Sequence, residues 1–326
     1  MKYVLHIGPN KTGTTSLQEA FDENREALRR RGVEYPGRAW GYIGQHKLAK
    51  FFRGDDPEDI DLPGNWMERF RAETEGSGAE TCVVSSEIFF HDSDPDKVAT
   101  LFPPGRTRIV TYLREPVSHA VSWYQQWVVN LDVTMSLMEF VETSPLSFSD
   151  TLRKWSDRFG RDNLELRAYD RDTLLNGNIV ADFANLIQPG LEEIFSSQNH
   201  ASNPSIAGNL LFIKRMLNCF IDWKESRSVK PEMDELSKLD PSFIGTIPVD
   251  QETVNRIASR RRKDIQTLDE KFGLLLELRD KPFEAPVWPD QDRLADDFAR
   301  IFAEACAKEY KIVPLLERMA NMFRGA

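Results

Sequence analysis

The stretch that decides the fold runs from residue 3 to residue 18 and reads Tyr3-Val4-Leu5-His6-Ile7-Gly8-Pro9-Asn10-Lys11-Thr12-Gly13-Thr14-Thr15-Ser16-Leu17-Gln18. Its apolar start is typical of a buried strand, and the Gly/Pro/Asn turn that follows is typical of a loop. The pattern at its end is typical of an amphipathic helix. A loop that leads into a helix presents unpaired main-chain N–H groups and the positive end of the helix dipole. Lys11 adds a full charge, and the threonine hydroxyls add donors. The stretch therefore predicts a site that holds a phosphate or a sulfate group.

The order of lysine and glycine distinguishes this loop from a Walker A loop. A Walker A lysine follows the last glycine, whereas Lys11 precedes Gly13. Residues 8–15 closely resemble the 5′-phosphosulfate loop of sulfotransferases that use 3′-phosphoadenosine 5′-phosphosulfate, in the Gly-Pro-x-Lys-Thr-Gly-Thr-Thr form of heparan sulfate sulfotransferases and bacterial carbohydrate sulfotransferases. The resemblance implies that the following residues bind the 5′ end of that donor: Lys11, Thr12, Gly13, Thr14, Thr15 and Ser16.

A second anion motif follows a buried strand that we predict over residues 107–113. Arg114 stands at the end of this strand, and Pro116 favours the start of a helix. Ser122 lies in that helix, eight residues after Arg114. A guanidinium fork and a hydroxyl in this arrangement are suited to one phosphate group. The pattern Arg-x-Pro followed by Ser-x-Tyr resembles the 3′-phosphate signature of sulfotransferases. The resemblance implies that Arg114 and Ser122 bind the 3′-phosphate of the donor.

Three residues are candidates for the base that takes a proton from an acceptor. Glu87 lies in a predicted strand over residues 81–90, whose polar end would emerge at the same sheet edge as the loop. His46 stands at the start of a predicted short helix over residues 45–52, and the ordinary pKa of imidazole suits a general base. Bacterial sulfotransferases commonly carry a histidine in this region. Several sulfotransferases place a glutamate base at a position that is closer in sequence to Glu34 than to His46. The choice stays open, and each residue has an alternative structural role.

Two later segments extend the resemblance. Tyr169 lies in a strand predicted over residues 164–170, where sulfotransferases stack a tyrosine near the adenine. The loop around Asn203 and Ser205 partly matches the Asn-x-Ser-Leu-Ser pattern of similar bacterial proteins, which implies that both residues close over the nucleotide. Read without the resemblance, Tyr169 is a packed core residue, and the loop is an Asx-type turn that caps a helix.

Length and pattern indicate an α/β protein. The chain has 326 residues, enough for one large domain with a substantial core. Strands predicted at the positions above alternate with helices, the first over residues 15–31 and a later one over residues 149–160. The resemblance implies a three-layer sandwich with a central parallel sheet, similar to P-loop NTPases. We expect a donor-binding core over residues 1–222 and a helical C-terminal extension over residues 223–326, packed on the core and without chemistry of its own.

Composition excludes several classes of protein. The formal net charge of −10 counts against nucleic acid as the main partner. The apolar runs are too short for a transmembrane span, and the first residues lead into a strand rather than a signal peptide. We therefore expect a cytoplasmic protein with no integral membrane segment. The cysteines Cys82, Cys219 and Cys306 are odd in number and widely spaced, which is typical of reduced thiols and not of a zinc site.

Together these motifs predict an enzyme that transfers a sulfuryl group from the phosphosulfate donor to a hydroxyl, or an amine, of an acceptor. The resemblance favours a carbohydrate or a glycan, and small alcohols stay open. Lys11 would stabilise charge on the departing phosphate, so that no obligatory metal is expected. Two alternatives remain: a P-loop kinase with Glu87 as a metal ligand, and a non-catalytic nucleotide-binding protein that works through its helical C-terminal third.

Overall fold

A five-stranded parallel sheet is the centre of the structure. The computed structural model describes residues 1–143, 147–196, 205–283 and 288–324. The strands are β1 (Lys2–His6), β2 (Val33–Glu34), β3 (Thr81–Ser85), β4 (Thr107–Leu113) and β5 (Leu164–Ala168). They pair in the order β2-β3-β1-β4-β5, and every pairing is parallel.

Helices occupy most of the remaining described residues. In chain order they are α1 (Thr14–Glu23), α2 (Arg25–Arg30), α3 (His46–Arg53), α4 (Trp66–Gly76), α5 (Ile88–His91), α6 (Pro95–Val98), α7 (Pro116–Asn130), α8 (Leu137–Thr143), α9 (Phe148–Phe159), α10 (Ile179–Ile187), α11 (Gly208–Leu217), α12 (Trp223–Ser228), α13 (Lys230–Leu236), α14 (Gln251–Phe272), α15 (Gln291–Ala307) and α16 (Val313–Arg324). No helix among the described residues is both long and apolar enough to cross a membrane.

The chain forms two compact units that interleave along the sequence. The first comprises Met1–Glu115, Leu146–Ser202 and Arg262–Glu277, and the second comprises Pro116–Pro145, Asn203–Arg261 and Leu278–Ala326. The sheet, α1 to α6, α9 and α10 belong to the first unit, and α14 contributes to both. The predicted boundary between residues 222 and 223 stays a prediction, because these units alternate rather than follow one another.

Both faces of the sheet are buried in the first unit. On one face, Val4 of β1 belongs to a core cluster with Phe21 of α1 and Phe183 of α10. On the other face, the ring of Tyr3 lies 5.2 Å from the ring of Phe102, centroid to centroid. Successive strand side chains point to opposite faces, so this alternation of apolar residues requires a helical layer on each side. The predicted α/β class with a central parallel sheet is confirmed.

The strand order determines where a ligand can bind. β1 lies between β3 and β4, and the carboxyl ends of all three strands share one edge. From β1 the chain continues to β2 on one side, and from β3 it continues to β4 on the other. A parallel sheet has its ligand crevice outside the carboxyl ends of the strands at such a reversal of direction. The stretch at residues 8–13 follows β1 at this position.

Two local predictions differ from the structure, and one helix was missed. The helix expected over residues 15–31 is broken into α1 and α2 at Asn24, whose side-chain Nδ2 donates to the carbonyl of Ala20 at 2.8 Å. The strand expected over residues 81–90 ends at Ser85, and α5 begins at Ile88. Helix α4 was not predicted. An asparagine that bonds its own turn competes with the helical main chain, and a short apolar run does not by itself distinguish strand from helix.

The second unit is helical in its described part. Lys214 of α11 is fully buried, and its ammonium group donates to the carbonyl of Val128 at 3.2 Å and to Oγ of Ser226 at 2.7 Å. The side-chain amide of Asn218 donates to the carbonyls of Val128 and Val133, both at 2.9 Å. These bonds join α11 to the end of α7 and to α12, and buried polar groups are stable only when bonded in this way.

Candidate active site

The anion loop, residues 8–13, has a backbone that few side chains adopt. Lys11 has a φ of 69° and Gly13 a φ of 75°, both in the left-handed region. The hydroxyl of Thr12 donates to the carbonyl of Pro9 at 2.7 Å, and Thr12 is fully buried. Thr12 therefore closes the loop on itself, and what it offers to a ligand is its main chain rather than its hydroxyl. Strain of this kind at Lys11 is typical of functional loops.

The start of α1 leaves its first N–H groups without a side-chain cap. Gly13 is the N-cap and has no side chain, and the first turn has no acidic residue. The first main-chain bond back to the cap runs from N of Leu17 to O of Gly13 at 3.1 Å. Thr15 is exposed and Ser16 is half-buried, while Thr14 is buried. The uncapped N–H groups and the helix dipole together form a site for an anion.

Tyr169 lies directly against this loop. A Cβ atom on Gly13 would lie 2.9 Å from Cε2 of Tyr169 and 3.1 Å from Cγ2 of Ile179. The main-chain N of Tyr169 donates to the carbonyl of Leu113 at 2.8 Å, which continues the pairing of β5 with β4. The ring is half-buried, so it both packs on the loop and presents an edge to solvent. Its predicted contact with adenine stays a prediction.

Arg114 reaches the anion loop from the neighbouring strand. Its Nη1 lies 3.5 Å from the carbonyl oxygen of Lys11, at the outer limit of a hydrogen bond. Burial lowers the pKa of the Arg114 guanidinium below its usual range, because a desolvated cation loses the stabilisation that water supplies. Guanidinium groups stay protonated in proteins, so the site contains a permanent, partly desolvated positive charge. An anionic ligand would replace the lost solvation.

His46 and Glu87 lie together at the carboxyl end of β3. Nδ1 of His46 lies 2.9 Å from Oγ of Ser86 and 3.8 Å from Oε2 of Glu87. The side chains of His46 and Glu87 are 25% and 26% exposed, so both remain accessible to a substrate. A histidine with one ring nitrogen held by a hydroxyl and a carboxylate has its other nitrogen oriented for proton transfer.

The segment before His46 explains why this histidine lies beside β3. The main-chain N of Gln45 donates to the carbonyl of Ser85 at 2.9 Å, and N of Ser85 donates to the side-chain Oε1 of Gln45 at 2.8 Å. A Cβ atom on Gly41 would lie 1.8 Å from the carbonyl of Gly44. The loop therefore requires glycine at Gly41, and its closure brings the start of α3 to the end of β3.

Glu34, the third candidate base, has a different environment. Its side chain is 1% exposed, and Nε and Nη2 of Arg29 donate to its two oxygens at 2.7 Å and 3.0 Å. A bidentate arginine fork of this kind is a strong charge-assisted interaction. The geometry favours a structural ion pair between α2 and β2, and the role of Glu34 as a base stays a prediction.

Three predicted residues cannot be placed beside the loop. Ser122 lies in α7 and is 7% exposed, and Ser205 precedes Ile206, which forms an isolated bridge with Ile244. Both belong to the second unit, so their contacts with the donor stay predictions. Asn203 lies outside the described residues.

The sequence reasoning missed Gln18 and Ser85. The side-chain Nε2 of Gln18 donates to Oγ of Ser85 and to Oε2 of Glu87, each at 3.2 Å. Nδ1 of His6 lies 2.8 Å from the same Ser85 hydroxyl, and burial lowers the pKa of His6 to about 3. The available signal was the position of Gln18, three residues before Phe21 and thus a polar residue on the apolar face of α1.

Known proteins add only general similarity. No protein-family model matches the chain, and a search of the curated proteins finds no match. Solved structures similar to it include a sulfotransferase from Alicyclobacillus acidocaldarius, with 14% identity, a TM-score of 0.44, and coverage of 85% of this chain and 97% of that chain. Another is retinol dehydratase in complex with retinol and PAP, with 16% identity, a TM-score of 0.27, and coverage of 60% of each chain. With TM-scores below 0.5, these likenesses leave the function to be inferred from the site residues themselves.

Proposed function

We propose that the protein is a sulfotransferase that moves the sulfuryl group of 3′-phosphoadenosine 5′-phosphosulfate to a hydroxyl of an acceptor. The observation that carries this proposal is the position of Arg114 beside the anion loop, with Nη1 3.5 Å from the carbonyl of Lys11. The 3′ and 5′ substituents of one ribose are only a few bonds apart. Two neighbouring anion sites, one on the loop after β1 and one at the end of β4, suit a single nucleotide that carries both groups.

The proposed roles follow from charge and position. Lys11 and the N–H groups of the first turn of α1 hold the 5′-phosphosulfate and stabilise the charge that develops on the departing phosphate. Arg114 binds the 3′-phosphate, and the role of Ser122 in binding the same group rests on the sequence pattern alone. Tyr169, which packs on Gly13, contacts the base or the ribose. In-line transfer between two oxygens requires chiefly this positioning and charge stabilisation.

The pair His46 and Glu87 takes the proton of the acceptor hydroxyl. Both are partly exposed at the end of β3, which is the neighbour of β1 in the sheet. Oε2 of Glu87 accepts a hydrogen bond from Gln18 of α1, so the pair and the anion loop are joined through one helix. A carbohydrate or glycan acceptor is part of the proposal on the strength of the sequence resemblance alone.

Nucleotide binding and transfer test the proposal together. We expect 3′,5′-ADP to bind in the presence of EDTA with an affinity at least tenfold above that of 5′-AMP, since the 3′-phosphate adds a charge-assisted contact of about 1.5–3 kcal/mol. Labelled sulfate should pass from the ³⁵S donor to at least one member of a panel of sugars, glycolipids and small alcohols. Binding of ATP that requires magnesium, with no binding of 3′,5′-ADP, would instead favour the kinase. Tight 3′,5′-ADP binding without transfer to any acceptor would favour a nucleotide-binding protein.

A further inference from the structure

Gln18 is a buried amide that shares helix α1 with the buried apolar residues Leu17, Ala20 and Phe21. It is 2% exposed and lies in α1, the helix that begins at the anion loop. Burying a primary amide without hydrogen bonds costs free energy that an apolar residue of the same size would not. Its presence on this face therefore requires partners, and those partners show its role.

Both hydrogens of the amide are used. Nε2 of Gln18 lies 3.2 Å from Oγ of Ser85 and 3.2 Å from Oε2 of Glu87, so one –NH₂ group serves a hydroxyl and a carboxylate. The opposite orientation of the amide would direct its oxygen at the carboxylate of Glu87, which is repulsive while Glu87 is ionised. The orientation of the amide is therefore determined by the charge on Glu87.

Gly44 confines the amide from the other side. A Cβ atom on Gly44 would lie 2.8 Å from Cδ of Gln18 and 2.8 Å from the carbonyl of Ser85. The backbone thus approaches Gln18 as closely as a glycine permits. Ser85 in turn lies 2.8 Å from Nδ1 of the fully buried His6, the last residue of β1. A fixed chain of polar groups runs from the base of the anion loop to Glu87.

We propose that Gln18 is a positioning residue for the transfer site: its amide fixes Oε2 of Glu87 and joins it to Ser85 at the end of β3. This inference rests on the proposed function, because it gives Glu87 a place in proton transfer. Gln18 itself touches neither donor nor acceptor. It stabilises the ionised carboxylate by a hydrogen bond, and it couples the position of that carboxylate to the helix that begins at the anion loop.

The test compares Gln18→Leu with wild type in the pH dependence of kcat/KM for transfer. Leucine keeps the volume and removes both donors, so the ionised carboxylate loses stabilisation and the pair holds a proton more tightly. We expect the acidic limb of the profile to move to higher pH by about one unit, and kcat to fall about tenfold. Affinity for 3′,5′-ADP should change less than about twofold, since the loop keeps its own donors.

Asn218→Leu is the matched control. It also removes a buried amide that donates two hydrogen bonds, and it belongs to the second unit and lies far from the anion loop in sequence. We expect it to lower the melting temperature without moving the acidic limb. An acidic limb and a kcat that are unchanged in folded Gln18→Leu would overturn the inference, as would an equal shift in Asn218→Leu.

A measurement that needs no turnover separates this inference from the proposed function. The side-chain amide protons of Gln18, assigned by their loss in Gln18→Leu, should shift with pH in the NMR spectrum of the wild type and not in that of Glu87→Gln. If they do so while no acceptor is ever sulfated, the proposed function fails and the hydrogen bond stands. If transfer is found but these protons do not respond to Glu87, the inference fails alone.

Discussion

Arg114 and Lys11, more than a hundred residues apart in sequence, meet at the carboxyl edge of the sheet, where Nη1 of Arg114 lies 3.5 Å from the carbonyl oxygen of Lys11. The register of β1 with β4 produces this meeting, since the strands carry their following residues to one edge. Arg114 brings a positive charge to a partly desolvated place beside the main chain of Lys11. An anionic ligand would compensate the desolvation of this guanidinium.

Arg114→Ala should weaken 3′,5′-ADP binding about 10- to 100-fold, because a charge-assisted hydrogen bond to phosphate contributes about 1.5–3 kcal/mol. Isothermal titration calorimetry measures the effect, with circular dichroism to verify that the fold is kept. Arg114→Lys should recover only part of the affinity, because lysine keeps the charge and loses the planar fork. Equal affinity of the alanine variant and the wild type would remove Arg114 from the binding site.

Lys11→Ala should lower kcat about 100- to 1,000-fold, the effect of removing one preorganised group that stabilises charge in a transition state. Single-turnover transfer of ³⁵S from the donor measures it. Alanine keeps the left-handed backbone at this position, where φ is 69°, so Lys11→Gly serves as a second variant that removes both the charge and the strain. Near-normal turnover in both variants would show that Lys11 does not stabilise the departing phosphate.

Gly13→Ala should destabilise the protein by about 1–3 kcal/mol in urea unfolding. Two causes add: a left-handed φ of 75° and a Cβ atom 2.9 Å from the ring of Tyr169. Gly32→Ala is the control for the first cause alone, because φ is 79° there and a Cβ atom would meet no atom within 4 Å. Gly13→Ala should lower the free energy of unfolding more than Gly32→Ala does, and this difference should shrink in a Tyr169→Ala background. A difference that persists in that background would mean that the ring does not press on the loop.

The stability of the protein should fall as the pH drops below about 6.5, partly because of His6. Burial lowers the pKa of His6 to about 3 in the folded state, so the unfolded state binds more protons between the two values and is favoured as the pH falls through that window. The contribution of His6 between pH 7 and pH 5 is about 2 kcal/mol. Urea unfolding at both pH values measures it.

His6→Asn is the matched variant, since its amide oxygen takes the place of Nδ1 as a partner of Ser85. It should reduce the change in unfolding free energy between pH 7 and pH 5 by about 2 kcal/mol, whatever its effect on stability at neutral pH. His91, whose pKa is lowered to about 4 by burial, contributes to the same window and remains in both proteins. An unchanged slope in His6→Asn would show that His6 is not held neutral.

The sequence predicted most of the sheet but less of the local geometry. β1 and β3 are centred on the apolar runs Tyr3-Val4-Leu5 and Cys82-Val83-Val84, and β4 contains Ile109-Val110 and Tyr112-Leu113. Such runs indicate buried strands without any knowledge of their neighbours. The end of β3 was predicted too late: Ser86 and Glu87 follow the strand, and their side chains bond to His46 and Gln18, which are contacts between distant parts of the chain. The fork between Arg29 and Glu34 was also not predicted, and the role of Glu34 as a base stays a prediction.

The amino-acid sequence alone determined the anion loop, because the order of glycines, lysine and threonines limits that backbone to conformations that expose N–H groups and positive charge. It also determined that an arginine would follow a buried strand. The tertiary structure decided which of these groups act together. Strand order brought Arg114 to Lys11 and Glu87 to Gln18, and burial at that shared edge gave the charges their strength, since both depend on neighbours that the linear sequence does not specify.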